Sequence, residues 1–256
     1  MQVVILAGGY GTRISEESHD KPKPMIEIGE KPILWHIMKT YSFYGFNDFI
    51  ICCGYKGQVI KDYFQRYTLN NSNFEVNLQT GNTKIITKPN ENWNVTLVDT
   101  GVNTMTGGRL KRIEPFLKTD DFHMTYGDGV SDVNLSELEK NYKKSNAKAI
   151  LTAVSPPGRF GAIQINDNSF IESFDEKPIG DGGRINGGFF ILNKSVLDLI
   201  DSDATIWEKE PLSNLASTGE LAAHYHNSFW HPMDSLRDKN YLNELWKSNK
   251  APWRVW

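Results

Sequence analysis

Residues 3–13 read VVILAGGYGTR. Val3 to Leu6 is a short β-branched, apolar run, and a glycine-rich turn follows it without a gap. A strand that ends in glycines lets its backbone come close to another group, and a turn of this kind can point N–H groups at an anion. Arg13 adds a planar fork of donors. Two common phosphate loops fail on spacing. A dinucleotide fingerprint counted from Gly9 and Gly11 needs a third glycine where Ile14 stands. A P-loop needs Gly-Lys and then Ser or Thr, whereas Gly11 is followed by Thr12 and Arg13.

Outward from this turn, strand and helix patterns alternate. Pro32 to Tyr44 has helical spacing, Asp48 to Cys53 (DFIICC) is a continuous apolar strand, and Gln58 to Tyr67 is helical again. Asp121 to Tyr126 and Ala147 to Val154 are further strands, separated by the helical run Ser136 to Asn146. Strands this apolar are covered on both faces, so the alternation predicts an α/β fold with a Rossmann-like, mostly parallel (mixed) sheet flanked by helices. Ligands in such sheets sit beyond the carboxyl ends of the strands, where the glycine turn falls. Phe160 to Ile165, Phe170 to Phe174 and Gly187 to Leu192 read as strands, and Ser195 to Ile200 and Leu212 to Ser217 as helices. They predict a smaller β-containing part within one domain spanning 1–256. The C-terminal helix and Trp-rich tail suit docking on the core and a subunit contact equally well.

Composition bounds the function. The chain has 256 residues, a formal net charge of -3 and 39% hydrophobic residues, so neither a nucleic-acid nor an acidic-membrane surface is indicated. No run reaches membrane-spanning length and no signal-like N-terminus is present, which predicts a cytoplasmic protein. Cys52 and Cys53 are neighbours on a strand and point to opposite faces, which argues against a disulfide between them. His36 falls in a core-like helix, and His224, His226 and His231 lack metal-ligand spacing. Without a reactive Cys, His or Ser constellation, covalent catalysis is not indicated.

Asp20 to Met25 reads DKPKPM, with Lys23 stiffened by a proline on each side. GGxGTR followed about ten residues later by KPKPM resembles the signature of the sugar-1-phosphate nucleotidyltransferases. Segments such as WNVTLVDTG, MTGGRLKRI, PPGRFGAI, INGGFFILN and FWHPMDSLRDKNYL extend the resemblance along nearly the whole chain. They resemble the branch that pairs CTP with glucose 1-phosphate. Thymidylyl and uridylyl members commonly carry proline three residues after the signature arginine, whereas Arg13 is followed by Ile14, Ser15 and Glu16.

The resemblance implies that the glycine loop (Leu6, Ala7, Gly8, Gly9, Tyr10, Gly11 and Thr12) wraps the nucleotide and that Arg13 and Lys23 stabilise its triphosphate. It also places Thr104 and Arg109 in the CTP site. Backbone groups around Leu6 to Gly8 and at Gly107 are candidates for reading cytosine. Nucleotidyl transfer implies a divalent metal, Mg²⁺, which takes a few carboxylates plus phosphate oxygens and water. Asp128, bracketed by glycines at a strand end, is the first candidate ligand, and Asp132 a weaker one. HPMDSLRD offers Asp234 and Asp238; the family pattern selects Asp234, directly after Pro-Met, and Asp238 reads as a helix-face charge. Glu176 and Lys177 would hold the sugar phosphate, with Asn186, Gly187 and Gly188 lining the same pocket. The expected partners are CTP and glucose 1-phosphate, with the chain in a homo-oligomer. Another base or sugar, a non-catalytic nucleotide sensor and a sugar-transferring enzyme are the alternatives.

Overall fold

The computed structural model describes residues 1–14, 20–156, 162–165, 171–175 and 183–256, with backbone alone at position 13 and in 162–165 and 171–175. A seven-stranded sheet organises it. Its strands are β1 (Val3–Leu6), β4 (Asp48–Cys53), β7 (Asn94–Asp99), β8 (Asp121–Tyr126), β10 (Ala149–Val154), β13 (Ile185–Asn193) and β14 (Leu221–His226), ordered β14-β10-β13-β8-β1-β4-β7. Every neighbouring pair is parallel except those made by β13, which runs against both β8 and β10. The predicted mixed, mostly parallel sheet is therefore present, and a single reversed strand makes it mixed.

The sheet is buried on both faces because its strands alternate between two apolar clusters. Val3, Ile5, Phe49, Ile51 and Cys53 face one, and Val4, Leu6, Ile50, Cys52 and Met124 face the other. This alternation sends Cys52 and Cys53 to opposite sides as free, buried thiols. Burial raises both, Cys53 to about 11, so neither is a ready nucleophile.

The helices α1 (Ile33–Phe43), α2 (Gly57–Asn70), α3 (Thr106–Arg112), α4 (Leu135–Ser145), α5 (Glu210–Ser217) and α6 (Leu236–Lys247) flank the sheet. The run Ser195 to Ile200, read as helical, is a 3-10 helix over Lys194–Leu199. Short two-stranded ribbons complete the fold: β2 (Glu27–Ile28) with β3 (Lys31–Pro32), β5 (Phe74–Val76) with β6 (Thr83–Ile85), β9 (Gly129–Ser131) with β15 (Trp230–Pro232), and β11 (Ala162–Ile165) with β12 (Ile171–Asp175). Among the described residues no helix is long and apolar enough to cross a membrane.

The C-terminal tail docks on its own core. Trp253 is fully buried, and its Nε1–H donates to His36 Nδ1 at 3.3 Å. The other ring nitrogen of His36 donates to the Ile28 carbonyl at 2.9 Å, which fixes a neutral tautomer. Burial holds the His36 pKa at about 4 and that of His123 at about 3.

Both values lie below the ordinary 6.5, so the unfolded chain takes up protons that the native state refuses as pH falls from 6.5 towards 4. The contribution of these two histidines to stability should be fullest above pH 6.5 and decline below it, by about 2 kcal/mol each between pH 7 and pH 5. Urea denaturation at the two pH values measures the loss. His36→Gln should remove about half of the histidine contribution, and an unchanged pH dependence in that variant would contradict the assignment.

Candidate active site

The carboxyl ends of β1 and β8 and the turn after β7 meet at one end of the sheet, around a cavity of about 600 Å³. That volume suits a nucleotide-sized ligand. Leu6, Ala7, Gly8, Gly9, Tyr10, Gly11 and Thr12 line it, together with Lys23, Thr104, Arg109, Asp128 and Asp234. The two carboxylates, 106 positions apart in sequence, thus reach one cavity wall.

Each glycine of the first loop has its own reason. A Cβ at Gly8 would lie 2.1 Å from Arg109 Nη1, whereas one at Gly9 would meet nothing within 4 Å. Protein packing therefore accounts for Gly8, and the space above Gly9 is open for a ligand. Gly11 has φ +65, a conformation that favours glycine, and Ile14 N–H returns to its carbonyl at 3.2 Å. The fully buried Ile14 side chain anchors that turn. The side chain of Arg13 lies outside the described residues.

Arg109 holds the loop from beneath. Its guanidinium donates to the carbonyls of Gly8 at 2.9 Å and Gly101 at 2.8 Å, and to Thr100 Oγ1 at 2.7 Å. These acceptors are neutral, and burial lowers the Arg109 pKa from its ordinary value. Several backbone groups expected to read a base are engaged within the protein. Ala7 N–H donates to Cys52 O, Leu6 O accepts from Gly127 N–H, and Gly8 O also accepts from Tyr55 N–H.

Lys23 sits in a one-turn 3-10 helix, Lys23–Met25, closed by Met25 N–H on Pro22 O at 2.8 Å. The prolines on each side and the buried Met25 and Ile26 fix the turn, so the ammonium is aimed. It donates to Asp128 Oδ2 at 2.7 Å and to Asp234 Oδ1 at 2.6 Å. Burial lowers its pKa, but the carboxylates outweigh that and leave it above the usual lysine value. Asp128 directly precedes β9, and Asp234 lies two positions past the end of β15, with Met233 between. These strands pair, and Met233 N–H donates to Asp128 O at 2.8 Å.

Some candidates fall elsewhere. Asp132 pairs with His226 at 3.0 Å and accepts from Ser228 Oγ at 2.6 Å, away from the cavity. Gly107 does not line the cavity: its N–H donates to Thr205 O at 3.0 Å, and a Cβ there would stand 2.7 Å from that oxygen. Asn186, Gly187 and Gly188 adjoin the cavity through Tyr126, whose hydroxyl accepts from Asn186 Nδ2 at 3.3 Å. Glu176 and Lys177 lie outside the described residues. Asp238 is not a mere helix-face charge: it is the third residue of α6, in a capping box with Ser235. Sequence reasoning missed Tyr126, despite its place directly before Gly127-Asp128-Gly129. It donates to Glu208 Oε1 at 2.5 Å, and Thr106 Oγ1 donates to Glu208 Oε2 at 2.6 Å.

The nucleotidyl transferase family profile matches residues 2–231. The chain belongs to that family. Among similar members, glucose-1-phosphate cytidylyltransferase of Salmonella typhimurium is 58% identical over 257 residues, covering 100% of both chains. A probable glucose-1-phosphate cytidylyltransferase of Bacillus subtilis is 41% identical over the same coverage. The fold matches HddC from Yersinia pseudotuberculosis complexed with GMP-PN, with TM-score 0.71, 23% identity and coverage of 96% of this chain and 99% of that one. Cavity, glycine loop and sheet edge thus belong to a nucleotidyl transferase framework.

Gly107 is a packing residue in this framework. Replacing glycine by alanine within a helix ordinarily stabilises by about 0.5–1 kcal/mol. Here the added carbon meets backbone, so Gly107→Ala should destabilise by about 1–3 kcal/mol. Urea denaturation would show it, and an unchanged or higher midpoint would count against the packing role.

Proposed function

We propose that this nucleotidyltransferase transfers CMP from CTP to α-D-glucose 1-phosphate, giving CDP-glucose and pyrophosphate. One observation carries the reading: the glycine loop, Lys23, Asp128 and Asp234 converge on one cavity at the carboxyl ends of the strands. The full-length relative at 58% identity supports the choice of base and sugar.

In the reaction a phosphate oxygen of glucose 1-phosphate attacks the α-phosphorus of CTP. The new P–O bond forms as the bond to the bridging oxygen of the β-phosphate breaks, and pyrophosphate leaves with that electron pair. The attacking phosphate, with a second pKa of about 6, is largely dianionic at neutral pH and needs no general base. The protein's task is to position two anions and offset their repulsion. Arg13 and Lys23 serve the triphosphate, Thr104 lines its cavity, and Arg109 shapes the loop that faces it. Glu176, Lys177 and the Asn186–Gly188 segment serve the sugar phosphate.

A divalent cation fits the donor set, since two carboxylates already surround one positive charge, the Lys23 ammonium. Among the described residues no group of three or more His, Cys, Asp or Glu could cage an ion. Asp128 and Asp234 would therefore hold Mg²⁺ jointly with the nucleotide, an arrangement usual for this hard, strongly hydrated ion. Bound there, Mg²⁺ would neutralise charge on the triphosphate.

Pyrophosphate release should be fastest with CTP and glucose 1-phosphate in a panel of four nucleoside triphosphates and several sugar 1-phosphates. Equal rates with dTTP or UTP would overturn the cytidylyl assignment. Lys23→Ala should weaken CTP binding about ten- to a hundredfold, the loss expected for a charge-assisted contact. Lys177→Ala should weaken glucose 1-phosphate binding instead. If separate titrations find both variants defective towards CTP alone, the division between the two lysines is wrong.

A further inference from the structure

Asp234 follows β15 and precedes α6, in a turn whose backbone is held on both sides. The N–H of Met233 donates to the Asp128 carbonyl at 2.8 Å, and the N–H of Asp234 donates to Asp238 Oδ2 at 3.0 Å. The same Asp238 oxygen accepts the Ser235 N–H at 2.8 Å and the Ser235 hydroxyl at 2.8 Å. His231 Nε2, from β15, lies 3.1 Å from Asp238 Oδ1 and must donate, because a carboxylate only accepts. One carboxylate thus gathers four donors from the strand, the turn and the helix start around Asp234.

A helix cap accounts for part of this network. In a capping box the acidic residue at the third helical position returns to the N-cap N–H, here that of Ser235. The bonds to Asp234 N–H and to His231 lie outside that pattern. They fix the backbone of the residue whose own carboxylate reaches Lys23, and an ion site needs its ligands held to within about 0.5 Å.

We propose that Asp238 is a positioning residue for the cation site, holding the Asp234 turn so that the Asp128 and Asp234 carboxylates face one point. The inference rests on the reading that Asp234 holds the metal. The substitution Asp238→Asn keeps the size of the side chain but removes the charge that strengthens all four hydrogen bonds. Ser235→Ala supplies the structural control, since it weakens the same helix cap while leaving the Asp238 carboxylate to accept from Asp234.

The experiment titrates Mn²⁺ into the full-length protein with CTP present and reads the free-ion electron paramagnetic resonance signal. It is paired with thermal midpoints and with the Mg²⁺ dependence of pyrophosphate release. Asp238→Asn should raise the apparent Mn²⁺ dissociation constant, and the Mg²⁺ needed for half-maximal rate, by about tenfold, or about 1.4 kcal/mol. The KM for glucose 1-phosphate should not change. Ser235→Ala should lower the thermal midpoint without changing the Mn²⁺ constant, and Asp238→Glu, which keeps the carboxylate, should recover most of the metal affinity. If Asp238→Asn lowers the midpoint as Ser235→Ala does and binds Mn²⁺ like the wild type, Asp238 is a cap and nothing more. If the wild type itself binds no Mn²⁺ with any nucleotide, the underlying reading of Asp234 fails, and this inference fails with it.

Discussion

Two carboxylates held within reach of a single ammonium are the constraint around which this edge of the molecule is arranged. Asp128 and Asp234 repel each other when their charges are brought together in a cavity wall, where solvent screens them only in part. Lys23, with donor distances of 2.7 and 2.6 Å, offsets that repulsion and leaves the group of three one negative charge. Each member reaches the point by a different device. A proline-bounded turn aims the lysine, the start of a short ribbon holds one aspartate, and the end of the partner strand delivers the other. The Met233–Asp128 hydrogen bond joins the last two independently of any side chain. The carboxylates are therefore already together, so an ion binding between them would not need to collect them from separate parts of the chain.

The second buried cation, Arg109, meets no carboxylate at hydrogen-bond distance among the described residues. Its donors satisfy the carbonyls that a glycine-rich turn leaves without helix or strand partners, Gly8 and Gly101 among them. This explains why glycine stands at positions 8 and 54, where any side chain would overlap the guanidinium. It also separates two meanings of a Gly-rich motif. Gly8 is small for the sake of the protein, whereas a side chain at Gly9 would enter open space beside the cavity and meet no protein atom. The glycines of Thr106–Arg112 belong to the first kind, because Gly107 and Gly108 admit the backbone of residues 203–205.

What could be read from the sequence follows the same physical divide. Strands β1 and β4 were legible to the residue because burial on both faces leaves a continuous apolar run, and β8 because its buried positions end at Gly127. Strand β14, LAAHYH, escaped notice because it lies at the edge of the sheet with half-exposed positions, and its mixed pattern resembles a loop. The strand β7 is the opposite edge and was missed for the same reason. The reversal of β13 had no signal at all, since direction depends on how the chain returns to the sheet and not on local pattern. At the site, Lys23, Asp128 and Asp234 were legible as motif residues, while their meeting on one ammonium was not. Asp238 carried a readable signal, the Ser235-to-Asp238 capping spacing, but its bond to Asp234 depends on the bend of the turn.

The reversed strand has a consequence for the sugar side of the site. Because β13 runs against β8 and β10, its beginning lies at the edge where those strands end. Val154, the last residue of β10, pairs with Ile185, the first of β13, and the next residue, Asn186, reaches Tyr126 at the end of β8. The chain thus leaves the sheet and re-enters it at the same edge, beside the cavity that holds Asp128. Had β13 been parallel like its neighbours, the intervening segment would have had to cross to the far end of the sheet before returning. As it is, the two residues that bound this part of the chain, Val154 and Ile185, both lie at the end of the sheet where β8 delivers Tyr126 and Asp128.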